Sequence, residues 1–247
     1  GLRLWGIGFG FPHRYHIDEP PHVLAALRLA QGEFRIDYPP LSPNLHQILL
    51  LILFGGLFVV QILSGVVSSP LEFAASYQQD PTAFYLLARG VSVVCSVLAA
   101  IILYLLVKRI RERRTALVAC FFGALCFLDV RHAHFAKPYT LLSLLVLISV
   151  YLTVVYLQKG NVRLLVVAGI VSGMAVGIRF STLPIGLVPL IGSLRGSLNE
   201  GISFKKAVRR IGHLAWAVPL GSIVGAPSLI LNTEYSIYRI GIWAHHA

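Results

Sequence analysis

Residues 83–114 read AFYLLARGVSVVCSVLAAIILYLLVKRIRERR, an apolar run to position 107 in which Arg89 is the only charge, closed by Lys108, Arg109, Arg111, Arg113 and Arg114 around one Glu112. A run of that length crosses the hydrocarbon core of a bilayer. The basic block behind it marks the cytoplasmic end. Further apolar runs cover 44–67, about 115–129, 138–157, 164–195 and 211–231, and the fourth reads as two short helices broken near Arg179 to Pro184. Two more basic groups, Lys159 with Arg163 and then Arg195 with Lys205, Lys206, Arg209 and Arg210, each follow after two crossings. This spacing predicts about six spans between 83 and 231. It puts 129–138, the Arg179 region and everything past Leu231 on the outer face.

Composition agrees with a polytopic membrane protein. Of 247 residues 56% are hydrophobic and 13% charged, and the mean hydropathy is +0.76, whereas soluble domains carry about 25% charged residues. The excess of 21 Lys and Arg over 10 Asp and Glu does not indicate nucleic acid, because 12 of the 21 sit in the three orienting clusters. Cys95, Cys120 and Cys126 lie inside apolar runs, which excludes a disulfide framework or a cysteine metal site. The chain opens Gly1-Leu2-Arg3 with neither an initiator Met nor a signal-peptide pattern, and we read it as a piece of a longer protein forming a single membrane domain over 1–247.

Before residue 108 there are five basic and six acidic residues, which is not a cytoplasmic signature. Residues 1–43 therefore read as an outer-face loop. Within it Val23, Leu24, Leu27 and Ala30 recur at helical spacing behind Pro20 and Pro21, predicting an amphipathic helix over 20–31 that lies in the interface. The same charge balance leads us to expect that 44–67 is embedded in the outer leaflet without crossing.

That topology gathers Asp18, Glu19, Asp37, Arg89, Asp129, Arg131, Lys137 and Arg179 on one face. Ionisable groups at membrane depth cost about 2.5–3.5 kcal/mol each on insertion scales, so such a cluster marks a functional site. The mixed signs fit a site that handles a proton and an anion. Several of these residues have a plainer reading. Asp18 is placed to cap the helix that begins at Pro20, Glu19 to favour its first turn, and Asp37 before Tyr38-Pro39-Pro40 to form a turn. Arg89 reads as an interfacial anchor or as the partner of a loop carboxylate. His132 and His134, two apart, diverge on a helix and suit hydrogen bonding better than a metal. Lys137 before Pro138 sits at a helix start, where a phosphate contact is favourable, and Arg179 between apolar helices serves an anionic ligand or a carboxylate. Gly169, Gly173 and Gly177, every fourth residue, read as a close helix contact.

Taken in order, the motifs carry a resemblance. Asp18-Glu19 precedes a short amphipathic helix. Tyr38-Pro39-Pro40-Leu41 follows, and then Ala88-Arg89-Gly90-Val91-Ser92 opens a helix that ends Arg-rich. His132-Ala133-His134-Phe135-Ala136-Lys137-Pro138 forms an outer turn, and Ala168 to Phe180 a small-residue helix ending at a basic residue. This order resembles the GT-C glycosyltransferases of the protein O-mannosyltransferase and lipid A aminoarabinose transferase type.

The resemblance implies an all-α polytopic transmembrane helix bundle. It also implies an enzyme that moves a sugar from a polyprenyl-phosphate-linked donor to a hydroxyl of a protein, lipid or glycan acceptor outside the membrane, with inversion. On that reading Asp18 is the general base, with Glu19 beside it as the second catalytic acid. Arg131, Lys137 and Arg179 hold the donor phosphate, and Asp37, Tyr38, Arg89, His132 and His134 support them. Localisation would be the cell membrane with the site facing outward. No metal site and no certain cofactor follow, and a divalent metal is compatible. The chain departs from the aminoarabinose branch at Pro21 and Tyr38, where that branch has basic residues, so the phosphate contact comes from elsewhere or the donor differs. Two other classes remain beside the enzyme: a transporter or lipid flippase, which would show paired broken helices, and a non-catalytic membrane subunit.

Overall fold

The computed structural model describes residues 1–11, 16–33 and 44–231. Asp37 and Tyr38 lie outside them. The described residues form an all-α helical membrane bundle. The order is α1 (Glu19–Ala30), α2 (Leu45–Leu63), α3 (Pro70–Gln79), α4 (Thr82–Ile110), α5 (Arg113–Leu125), α6 (Phe127–Ala133), α7 (Tyr139–Lys159), α8 (Val162–Ile178), a 3₁₀ turn (Phe180–Gly186), α9 (Leu187–Asn199), α10 (Phe204–Gly225) and α11 (Ser228–Leu231). Helices α2, α4 and α7 are long and apolar enough to cross a membrane, and α5 with α6 makes a fourth if their 54° bend is one broken span.

Local chemistry sets the ends. At α2 the Asn44 side chain accepts from the His46 N–H while Gln47 reaches back to the Asn44 N–H, a capping box that satisfies donors with no helical partner. Ser69 caps α3 in front of Pro70. Helix α7 stops at Gly160 with φ +66°, a left-handed conformation that glycine adopts without a Cβ penalty. Between α8 and α9 the chain breaks at Arg179 and the Pro184-containing turn.

Three cores and one glycine seam hold the described residues together, the smallest core being Tyr156 of α7, Leu165 of α8 and Leu214 of α10. Val23 and Ala26 of α1, Leu50 and Phe54 of α2, and Phe84, Tyr85 and Ala88 of α4 form the first core. Cys95 and Ala99 of α4 pack with Leu141, Leu142 and Leu145 of α7 and Ala175 and Ile178 of α8 in the second. At the seam α8 and α10 approach so closely that a Cβ on Gly173 would stand 2.0 Å from the Val218 carbonyl oxygen, and one on Gly221 would stand 2.0 Å from that of Ile170.

The bundle has two chemically different ends. One holds the basic residues 108–114, 159–163 and 205–210. The other brings together the start of α1, the α6–α7 turn and the ends of α7 and α8 that carry Tyr139 and Arg179. Helix α7 joins them, and its 21 residues set them about 30 Å apart at the usual helical rise.

Candidate active site

Glu19, the first residue of α1, is on the stripe that continues as Val23 and Ala26, so docking of α1 against α4 carries its carboxylate inward. There it meets Arg89. The Arg89 Nε donates to Oε1 at 2.8 Å and Nη2 to Oε2 at 2.7 Å, with the two side chains 1% and 3% exposed. The same guanidinium donates through Nη1 to the carbonyls of Ile7 and Phe9 at 2.6 and 2.9 Å and lies 4.4 Å above the Phe11 ring. A planar five-donor group is the side chain suited to such a buried fork.

Glu19 also fixes the turn opposite. Its Oε1 accepts the Ala136 N–H at 2.7 Å. One turn along α4 from Arg89, Ser92 donates its hydroxyl to the Phe135 carbonyl at 2.7 Å and to that of Lys137 at 3.3 Å. Residues 135–137 are therefore held by α1 and by α4 together.

Asp18, one residue outside the helix, makes no capping bond with its side chain. Its carboxylate instead accepts from Lys137 Nζ at 2.6 Å, across 119 residues of sequence. The lysine side chain is 8% exposed and the aspartate 59%, so the acid faces outward with its partner behind it. The hydrogen bond from Lys137 holds the Asp18 carboxyl below its usual range. Burial, followed by the nearby Lys137 charge, pushes His22 down to about 4, and the same two causes lower His16, whose ring packs on Phe135 at 4.2 Å.

The cations converge on one ring. Lys137 Nζ lies 5.5 Å from the centre of Tyr139, and the Arg179 guanidinium carbon 5.3 Å. The His132 ring packs on the same tyrosine at 4.7 Å. Arg131 is exposed beside them, and its charge reaches both His16 and His132. His134 turns away: its ring nitrogens face the carbonyls of Val130 and Trp5 at 2.8 and 2.7 Å. Among the described residues no three His, Cys, Asp or Glu side chains gather as a metal site.

Sequence reasoning placed Asp18, Lys137, Arg131, His132 and Arg179 at one end, and the structure gathers them there. It missed two residues. Tyr139 reads as an ordinary interfacial aromatic, and its three neighbours arrive from α6, the α6–α7 turn and the end of α8. Arg3 reads as part of an entry loop, yet it pairs with Asp129 at 2.7 Å, donates to Ser96 and to the carbonyls of Gly123 and Ala124, and so binds residues 1–11 to α4 and α5.

The chain matches the family model of the dolichyl-phosphate-mannose-protein mannosyltransferases over residues 86–222, which takes in Arg89, Ser92, Lys137, Tyr139 and Arg179 and begins after Asp18 and Glu19. No curated protein and no solved structure matches it. With more than half of its length inside that match and an all-helical membrane bundle around it, the chain belongs to the dolichyl-phosphate-mannose-protein mannosyltransferase family and is a membrane glycosyltransferase of the GT-C type.

Proposed function

We propose that the Asp18 end of the bundle is the catalytic face of an inverting transferase that takes a sugar from a polyprenyl-phosphate donor and delivers it to an acceptor hydroxyl outside the cell membrane. The observation that carries this is the 2.6 Å contact between Asp18 and Lys137, a base and a cation brought together at the end of the bundle remote from the basic clusters. The family's description supports mannose on dolichyl phosphate as the donor and a protein as the acceptor.

In this scheme the acceptor oxygen gives its proton to the Asp18 carboxylate as it bonds to the anomeric carbon. The bond from that carbon to the phosphate oxygen breaks, and its electron pair leaves with the lipid phosphate. Charge on the leaving phosphate rises through this step, so cations aimed at it stabilise the transition state more than the ground state. In this scheme Lys137 and Arg179, which meet on Tyr139, and Arg131 beside them supply those cations. No separate acid is needed, because the departing group is already an anion.

Glu19 acts here by position. Both of its oxygens are taken by Arg89, and one also by the Ala136 N–H, which leaves Asp18 as the carboxylate able to receive a proton.

Replacing Asp18 by Asn in the intact membrane protein tests this. Turnover should fall by about 10²–10⁴-fold, the usual worth of a positioned base, while binding of the lipid-linked donor persists. Unchanged turnover would remove Asp18 from the chemistry.

A further inference from the structure

We propose that Lys137 is a shared cation: in the donor-free enzyme it masks Asp18, and an arriving phosphate draws it onto the Tyr139 ring beside Arg179, so that the base is released only when donor is bound. This rests on the reading of Asp18 as base and of the Tyr139 end as the phosphate site. Three observations carry it.

The first is that Lys137 stands between two seats. Its ammonium touches the Asp18 carboxylate at 2.6 Å while lying 5.5 Å from the Tyr139 ring centre. A lysine is a compact point charge on a flexible stem and exchanges partners with little rearrangement, where a forked arginine would not. The backbone of 135–137 is held by the Ser92 hydroxyl and by the Glu19 carboxylate on the Ala136 N–H, so the motion is confined to the side chain.

The second is an imbalance of charge. Glu19 and Arg89 cancel each other, and Lys137 cancels Asp18. Arg179 sits against Tyr139 and Arg131 stands exposed beside them, neither paired with a carboxylate among the described residues. An anion therefore binds first on the Arg179 side of the ring. Once there it competes with Asp18 for Lys137, and more strongly as the leaving phosphate gains charge.

The third is the ring itself. Two cations within 5.5 Å of one centre repel each other, and the negative face of an aromatic ring offsets that repulsion. Tyr139 is thus a positioning residue that provides Lys137 with its second seat. The consequence is a compulsory order. Acceptor presented to the donor-free enzyme meets a carboxylate already engaged, and donor binding restores its basicity.

Zero-length cross-linking of the intact protein in detergent tests this without relying on turnover. A carbodiimide, in excess over any added phosphate, takes up the water lost as the Asp18 carboxylate and the Lys137 amine condense, and the isopeptide is read by mass spectrometry. The donor-free protein should give this cross-link. Saturating farnesyl phosphate should lower its yield by about tenfold, as a ligand that favours one of two seats must, and farnesol should not. Tyr139→Phe should behave as the wild type, and Tyr139→Leu should keep the cross-link in the presence of the phosphate.

If farnesyl phosphate raises the unfolding temperature while the cross-link yield stays constant, the phosphate site stands and the shared cation is overturned. Absence of the cross-link in the free protein overturns it equally. A loss of cross-link in Tyr139→Leu equal to that of the wild type removes the ring from the device. If farnesyl phosphate leaves both unfolding and cross-link untouched, it is the phosphate site that fails.

Discussion

Replacing Glu19 by Gln keeps the shape of the side chain and removes its charge, and the structure sets what that costs. Arg89 is 3% exposed and its only carboxylate among the described residues is Glu19, so the variant strands a guanidinium in the core between α1 and α4. Removing one partner of a buried pair costs about 3–5 kcal/mol, because the other charge stays desolvated. The Gln amide oxygen can still accept the Ala136 N–H and one Arg89 donor, which places the expected loss near 3 rather than 5 kcal/mol, roughly. Thermal unfolding in detergent measures it. The companion variant Glu19→Leu with Arg89→Leu removes both charges and should recover part of that loss, since apolar replacement of a whole buried pair is often neutral or stabilising while the Ala136 N–H and the Ile7 and Phe9 carbonyls lose their partners. A Glu19→Gln protein that unfolds like the wild type while losing turnover as fully as Asp18→Asn would refute the reasoning, and would make Glu19 a participant in proton transfer rather than an anchor.

The glycine seam predicts that Gly173→Ala or Gly221→Ala, each forcing a Cβ to 2.0 Å from a backbone oxygen of the facing helix, destabilises by about 1–3 kcal/mol or more. Gly90→Ala, with nothing within 4 Å, should be neutral or stabilising by about 0.5–1 kcal/mol; equal unfolding temperatures for the three would contradict the close approach. For pH, the depressed Asp18 value means that the pair with Lys137 contributes stability above the ordinary value of 3.8 and loses it as pH falls through the lower folded value. Lys137→Met should abolish that acid limb of the unfolding curve, and an unaltered limb would assign it to another group. Because Phe54 of α2 packs on Phe84 of α4 and Phe58 on Phe73 of α3, the second half of α2 lies by the first turns of α4. In a background without native cysteines, Ser69→Cys should therefore be labelled from the same side of the membrane as Ile17→Cys; labelling from opposite sides would mean that α2 crosses.

Much of this was legible in the sequence because bilayers impose coarse rules. Basic clusters at 108–114, 159–163 and 195–210 fixed which helix ends face each other and so brought Lys137 and Arg179 to one end, and the charge balance before residue 108, with 44–67 read as non-crossing, added Asp18. The break at Arg179 followed from Pro184 and the charge. What was not legible is which of two adjacent carboxylates turns inward. The apolar stripe can be drawn through Val23, Leu24, Leu27 and Ala30, which leaves both acids free. It can equally be drawn through Val23 and Ala26, which puts Glu19 four residues before a buried position. Only the docking of α1 on Leu50, Phe54, Phe84 and Ala88 decides between them. Leu24 and Leu27 pack at the edge of that core and also line a 660 Å³ apolar cavity with Leu51, Phe58 and Phe73. Tyr139 was illegible for a related reason: a ring that gathers groups from three segments has no local pattern.

With Asp18 as the base proposed above, the division of labour between Asp18 and Glu19 answers a conflict built into base catalysis beside an anion. The carboxylate must be held to within about 0.5 Å of its working position, yet it must be free to exchange a lysine for a proton. A side chain locked by its own bonds cannot do both. Here the locking is moved one residue along: the Glu19 fork and the Ala136 N–H immobilise the backbone on which Asp18 stands and the turn on which Lys137 stands, while Asp18 itself makes a single side-chain bond among the described residues. It follows that substitutions at Glu19 or Arg89 should damage turnover in proportion to the disorder they bring to the turn, whereas Asp18→Asn should lower turnover by about 10²–10⁴-fold at a smaller stability cost, that of its own pair with Lys137, in which the aspartate is 59% exposed. The ratio of lost activity to lost stability therefore separates the residue that reacts from the residue that holds it.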